Sequence, residues 1–150
     1  MSDTPALVPA QLPACRDLAF EELALGMQAQ FSRQWTDADV AAFARLVGDF
    51  HPLHVDESYA RSSLFERRIV HGMLVGSLCS TMVGMHLPGK RCLFLDQSLR
   101  FLLPVFIGDT VDVTGTIVSR DERTQVITVA VVVTRAAEAV LEGLATVQVL

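Results

Sequence analysis

The sequence is poor in charge, in cysteine and in aromatic side chains. Of its 150 residues only 19% are charged and 7% aromatic, and it has three cysteines, at positions 15, 79 and 92. Three cysteines cannot all pair within one chain, and no Cys-x-x-Cys pair or His/Cys cluster is present. These absences argue against a small disulfide-stabilised secreted fold and against a zinc site, and they predict reduced thiols.

A basic surface and a long apolar run are also missing. The net charge of −5 argues against a nucleic-acid-binding protein. The most apolar stretch, residues 72–87, is shorter than the roughly 18 residues of a spanning helix and contains His86. No basic cluster precedes an apolar run near the N-terminus, so no signal peptide is predicted. We therefore expect a cytoplasmic protein that binds neither nucleic acid nor a membrane.

Hydrophobic residues are abundant: they make up 51% of the sequence, with a mean hydropathy of +0.39. A chain of this length can bury a core without cross-links. One domain is expected over residues 16–150, preceded by a flexible arm at 1–15 that contains three prolines. The apolar excess requires either an enclosed element or a subunit interface.

Apolar spacing predicts two main helices. The first covers 37–47, with Thr36 as its N-cap and Gly48 as its end. The second covers 71–87 and is apolar on nearly every side, which predicts a helix buried all round. Weaker patterns give a helical turn within 20–27, a loop over 48–56 and a short helix over 57–62.

Alternating apolar residues predict strands over 28–35, 93–103, 111–118, 125–134 and 139–149. Short turns join the last four, which is typical of an antiparallel sheet. An apolar helix followed by long antiparallel strands predicts an α+β fold in which the sheet wraps around the helix.

Asp49 and His54 are the first candidate site residues. They lie five positions apart across Pro52, and in an extended loop their side chains would converge on one water molecule. A carboxylate and an imidazole that share a water form an acid–base pair. On spacing alone the simpler alternative is favoured, in which Asp49 caps a turn and His54 is a hydrogen-bonded loop residue.

Gly72 and Ser80 are the other candidates. Gly72 lies at the start of the second predicted helix, where a backbone N–H group could stabilise an oxyanion. Ser80 lies about two turns further on, where its hydroxyl would touch a ligand lying along the helix. The alternatives are that Gly72 is small for packing and that Ser80 bonds to a helix carbonyl.

Several ordered motifs resemble those of the MaoC-like (R)-specific enoyl-CoA hydratases. The segment 46–56, Leu-Val-Gly-Asp-Phe-His-Pro-Leu-His-Val-Asp, resembles their hydratase motif. The segments 65–74, 87–90, 97–101 and 104–109 follow in the same order and spacing. The resemblance covers about residues 20–149.

This resemblance implies a single hot-dog fold and a homodimer, often joined edge to edge through its sheets. It implies reversible hydration of trans-2-enoyl-CoA to (R)-3-hydroxyacyl-CoA, with Asp49 and His54 as the catalytic pair. The Gly72 N–H group would bind the thioester oxygen, and Ser80 would lie in the same site. The reaction requires no metal or redox cofactor, since coenzyme A belongs to the substrate.

Three residues depart from the family pattern. His51 stands where asparagine is frequent, and little effect is expected. Arg68 stands where proline is common, and it would either loosen the loop or bring a charge near the CoA phosphates. Asp96 stands where a small residue is often found, which leaves sheet geometry and acyl-pocket shape open.

Other functions fit the same fold. A dehydratase acting on acyl-carrier-protein thioesters would use the same residues, and its acidic partner would need a basic surface. Arg67, Arg68, Lys90 and Arg91 are a weak indication of one. A non-catalytic acyl-CoA-binding module and a thioesterase are further alternatives, because fold does not determine function.

Overall fold

The computed structural model describes residues 11–150, so most of the predicted N-terminal arm lies outside the described residues. Its strands are β1 (Gln28–Gln34), β2 (Cys92–Phe101), β3 (Thr110–Asp121), β4 (Val126–Arg135) and β5 (Glu138–Val149). They form one antiparallel sheet in the order β1-β3-β4-β5-β2. Every predicted strand is present, with its ends shifted by a few residues.

Helix α1 (Asp37–Val47) has the predicted bounds because both of its ends are specified locally. The Thr36 hydroxyl accepts a hydrogen bond from the Asp39 N–H group, and the Asp39 carboxylate accepts one from the Thr36 N–H group. Gly48 ends the helix with φ +80°, a left-handed conformation that glycine adopts easily.

Of the weaker local predictions, the loop over 48–56 needed correction. The predicted loop 48–56 contains a turn of helix, α2 (Pro52–Val55), because proline is well suited to the first position of a helix. Helix α3 (Glu57–Ser62) follows it as predicted. The helical turn expected within 20–27 is present as a 3₁₀ turn at Phe20–Glu22.

The central helix spans residues 72–86 in three consecutive segments, Gly72–Gly76, Leu78–Thr81 and a π-helical turn at Met82–His86. Small residues bring it close to the sheet. A Cβ atom added to Gly115 of β3 would lie 2.5 Å from the Met82 sulfur, and one added to Gly76 would lie 2.7 Å from a Leu99 methyl group. The α+β prediction, a sheet wrapped around an apolar helix, is confirmed.

The core lies between this helix and the concave face of the sheet. Alternate residues of β3 and β4 point toward it and are fully buried. Val83 and Leu87 meet them from the helix side. Within the described residues, no helix is long and apolar enough to cross a membrane.

One face of the central helix remains open, so the prediction of a helix buried all round is wrong for the single chain. Gly72, Met73, Ser77 and Ser80 are exposed along this face, and Met73 is 60% exposed. The sheet curls around only part of the helix, because β2 ends the sheet beside it. The helix therefore packs its apolar side against the sheet, and its other side, which consists mostly of small residues, is uncovered in the single chain.

The edge strand β2 is apolar and exposed. Leu93, Leu95 and Phe101 are each more than half exposed. The predicted alternation along this strand is interrupted by a bulge between Phe94 and Asp96, so the departure at Asp96 coincides with a change in sheet geometry.

Candidate active site

The loop that follows α1 brings Asp49 and His54 together through local hydrogen bonds. The Asp49 carboxylate accepts from the His51 N–H group at 3.1 Å, and His51 Nδ1 accepts from the Leu53 N–H group at 3.3 Å. These two bonds, together with the helical turn α2, fold the chain back on itself. Asp49 is thus both a turn-capping residue and a neighbour of His54, so the two interpretations of this residue are compatible.

The His54 ring is held in one tautomer. Its Nδ1 lies 2.9 Å from the Ile69 carbonyl oxygen, which can only accept, so Nδ1 carries the hydrogen. The other nitrogen, Nε2, then keeps its lone pair when the ring is neutral. Burial lowers the pKa of His54 from its usual 6.5, partly opposed by the bond to Ile69 and by Asp49. The ring is therefore a neutral imidazole with a free lone pair.

A third residue, His71, completes this cluster. It is 1% exposed, and its ring stacks on that of His54 with centroids 3.9 Å apart. Its Nε2 donates to the backbone carbonyl of Asp49 at 3.0 Å, and Phe43 meets its ring edge-on. His71 belongs to the segment 65–74 that resembles the family, but its role is visible only in the fold, where it contacts Asp49, 22 residues earlier in the chain.

The described residues contain one cluster with the composition of a metal site, and it consists of these same three residues. Their potential ligand atoms all lie within 4.8 Å of one another. The two imidazoles, however, are nearly parallel, with an angle of 26° between the rings. Stacked rings keep their in-plane lone pairs in two nearly parallel planes, so the lone pairs do not readily converge on one point. The arrangement suits a bound water better than a metal ion.

Gly72 begins the central helix directly after His71 and borders a pocket. The first N–H groups of a helix have no partner within it, so they are available to a ligand. The pocket has a volume of about 290 Å³ and its lining is largely apolar. A Cβ atom at position 72 would lie 3.0 Å from the Phe101 ring, so a larger residue would crowd the approach to this N–H group.

Ser80 is not part of this cluster. It lies two turns along the central helix from Gly72 and is exposed on the same open face. A ligand that touches both residues would have to lie along that face.

Comparison with known proteins agrees with the geometry. Residues 22–139 match the MaoC like domain. The chain belongs to the MaoC-like family. It is 50% identical over 94 residues to the (R)-specific enoyl-CoA hydratase of Aeromonas caviae, covering 63% of this chain and 70% of that protein. It is 38% identical over 130 residues to the hydratase of the same name from Rhodospirillum rubrum, covering 87% and 90%.

Solved structures show the same relationship. The (R)-hydratase from A. caviae involved in PHA biosynthesis superposes with a TM-score of 0.84 and 40% sequence identity, covering 87% of this chain and 99% of that one. This likeness confirms the hot-dog fold predicted from the motifs. The protein is a hydro-lyase of the MaoC-like family, a hydratase or dehydratase.

Arg68, which departs from the family pattern, holds the loop that carries Asp49 and His54 rather than loosening it. Its guanidinium group pairs with Asp37 at 2.6 Å and with Glu57 at 3.2 Å. It also approaches the His54 carbonyl oxygen at 3.5 Å. Through these contacts Arg68 links α1, α2 and α3. Because its guanidinium group is already paired with two carboxylates, it is poorly placed to bind a CoA phosphate.

Proposed function

We propose that the protein hydrates trans-2-enoyl-CoA reversibly to (R)-3-hydroxyacyl-CoA. The observation that carries the proposal is geometric. His54, whose Nδ1 donates to Ile69 and whose Nε2 is therefore the acceptor of the neutral ring, lies in one cluster with Asp49 and His71, and the central helix begins at the next residue, Gly72. These groups supply what the reaction requires: a base, a water-orienting acceptor and an oxyanion donor.

The proposed mechanism uses one water molecule. Asp49 and His54 each accept one of its hydrogen bonds. As the water oxygen attacks C3 of the enoyl thioester, His54 Nε2 takes a proton from the water and electrons move from the C2=C3 bond toward the thioester oxygen. His54 then returns that proton to C2. A single proton carrier on one face of the substrate gives syn addition.

The N–H group of Gly72 stabilises the enolate-like oxygen in this mechanism. The helix dipole adds to the effect, because the N-terminal end of a helix favours negative charge. The interaction is stronger with the enolate than with the ground-state carbonyl, so it lowers the barrier to attack. Gly72 thus assists the reaction through its backbone.

The acyl chain has a suitable path along the central helix. A groove of about 480 Å³ opens between α1 and this helix, beside the Phe43 ring that contacts His71. Leu74 and Leu78 line it from the helix, and the paired Arg33 and Asp39 also border it. Most of its wall is apolar, which suits an alkyl chain. Ser80 lies one turn beyond Ser77 of this groove, where we propose that it contacts the substrate.

A second copy of the chain is proposed to cover β2 and the open face of the central helix. The edge strand leaves unpaired backbone groups and exposes several large apolar side chains, a combination that favours association. The partner would enclose a substrate lying on the open face. We expect a homodimer at micromolar concentration in sedimentation velocity, and a stable monomer would contradict this arrangement.

The pH dependence of activity should reflect the low pKa of His54. Burial favours the neutral ring, so the base stays active as pH falls through 6.5 and is lost only at lower pH. The same group makes the fold less stable in acid, because below 6.5 the unfolded chain binds the proton more readily. Two measurements test this: kcat/KM for crotonyl-CoA as a function of pH, and the pKa of His54 from an NMR titration. An acidic limb centred at or above 6.5 would contradict it.

The second candidate function, dehydration of 3-hydroxyacyl-carrier-protein thioesters, would use the same groups. The two are separated by comparing kcat/KM on crotonyl-CoA and on the matching carrier-protein thioester. Higher efficiency with the CoA substrate supports the proposal, and higher efficiency with the carrier protein supports the alternative.

A further inference from the structure

Of the four basic residues at positions 67, 68, 90 and 91, which adjoin the central helix in sequence, three have acidic partners. Arg68 pairs with Asp37 and Glu57. Lys90 and Arg91 both approach the Asp17 carboxylate, at 4.0 Å and 2.7 Å. A charge already paired with a carboxylate is a weak receptor for an anion, because binding the anion would require breaking that pair.

Arg67 differs from these three. Among the residues that the structure describes, no acidic side chain pairs with it. It is exposed, and its guanidinium carbon lies 3.8 Å from the centroid of the Phe106 ring. A cation–π contact of this kind holds the side chain without consuming its N–H donors. Those donors stay available for a phosphate, which arginine binds in a bidentate manner.

The contact between Arg67 and Phe106 lies beside the pocket that Gly72 borders, because both residues are close in the chain to residues that line it. Phe65 and Ile69 flank Arg67 in sequence and line this pocket, and Val105 lines it next to Phe106. A β-bridge joins Ile69 to Phe106, so the two sides of this end are fixed relative to one another. The apolar pocket therefore extends from Gly72, in the proposed thioester site, to the chain neighbours of Arg67 and Phe106.

Arg135 also faces the Phe106 ring, at 5.4 Å, but it is not a second anion receptor. Its Nη1 donates to the Pro104 carbonyl at 2.7 Å and to the Asp109 carboxylate at 3.1 Å. The Arg135 guanidinium group is thus bonded to the loop before β3. Of the two arginines that face Phe106, Arg67 is the exposed one without an acidic partner among the described residues.

We propose that Arg67 binds a phosphate group of the coenzyme A moiety, with the pantetheine arm lying in the pocket between Phe106 and Gly72. This rests on the proposed function, because it requires a CoA thioester as substrate. The binding site for the phosphate also defines the orientation of the substrate. The CoA portion extends past Phe65 and Val105, and the acyl chain extends past Phe43, on the other side of His71.

The test combines a substitution with truncated substrates. Arg67→Met keeps the long aliphatic stem and removes the charge. We expect KM for crotonyl-CoA to rise about 10-fold with kcat unchanged, the size of a lost charge-assisted hydrogen bond. For crotonyl-pantetheine, which has no phosphate, the substitution should change neither constant. Arg67→Lys should recover part of the lost affinity. Arg61→Met is the matched control, because Arg61 is exposed and pairs with Glu57.

Crotonyl-4′-phosphopantetheine shows which phosphate is bound. An Arg67→Met effect on this substrate as well as on crotonyl-CoA supports contact with the pantetheine phosphate. An effect on crotonyl-CoA alone supports contact with the nucleotide end. An equal effect on all three substrates, or none on crotonyl-CoA, would overturn the proposal. Failure of the unmodified protein to hydrate crotonyl-CoA would instead overturn the proposed function.

Discussion

Asp49→Asn or His54→Gln should lower kcat for crotonyl-CoA hydration about 1,000-fold, within the range expected for a lost general acid–base group. Asparagine at position 49 replaces one of the two water-accepting oxygens with an N–H donor. Glutamine at position 54 has no titratable nitrogen that could carry a proton from water to C2. Stopped assays at substrate saturation measure the loss directly.

The two variants should remain folded, because neither residue belongs to the buried core. Asp49 is exposed and His54 is only partly buried. Thermal unfolding and sedimentation verify this. His86→Gln is the matched control for His54→Gln, since His86 is a partly buried histidine stacked on Phe31 away from the cluster. Near-normal turnover in both Asp49→Asn and His54→Gln would show that the water is held elsewhere.

The second large effect is expected from His71→Phe, which should reduce kcat about 100-fold and leave KM nearly unchanged. Phenylalanine retains a ring that can stack on His54 but cannot donate to the Asp49 carbonyl, a bond of 3.0 Å in the native protein. Without that bond the loop loses its anchor to the central helix. A shift of about 1 Å in a reacting group can cost a factor of this size.

A second substitution separates this positioning role from general packing. His71→Gln keeps an N–H donor that can reach toward the Asp49 carbonyl, so it should recover part of kcat although it lacks the ring. If His71→Phe turns over at the native rate, the bond to Asp49 does not position the loop. If His71→Gln is no better than His71→Phe, the hydrogen-bond donor alone does not position the loop, and stacking on His54 is required as well.

Features encoded by neighbouring residues were predictable from sequence. Helix α1 was placed correctly because Thr36, Asp39 and Gly48 specify its two ends within the segment itself. The strands were recognisable because β3 and β4 alternate between buried and less buried residues. In both cases a local pattern carries the information, and distant contacts only reinforce it.

Features set by distant contacts were not predictable in the same way. The apolar composition of the central helix indicated full burial. Its open face results instead from the position of β2, which ends the sheet beside the helix. The role of His71 depends on a carbonyl 22 residues earlier in the chain. Arg68 was expected to loosen the loop or to approach a phosphate, whereas Asp37 and Glu57 hold it. Such pairings appear only when the elements are placed together.

The central claim is that this chain adds water to an enoyl-CoA to give the (R)-product. It is tested most directly by incubating the purified protein with trans-2-enoyl-CoA substrates of 4 to 12 carbons and analysing the chirality of the 3-hydroxyacyl product. We predict (R)-3-hydroxyacyl-CoA from at least the C4 substrate. An (S)-product, or no hydration of any chain length, would contradict the account.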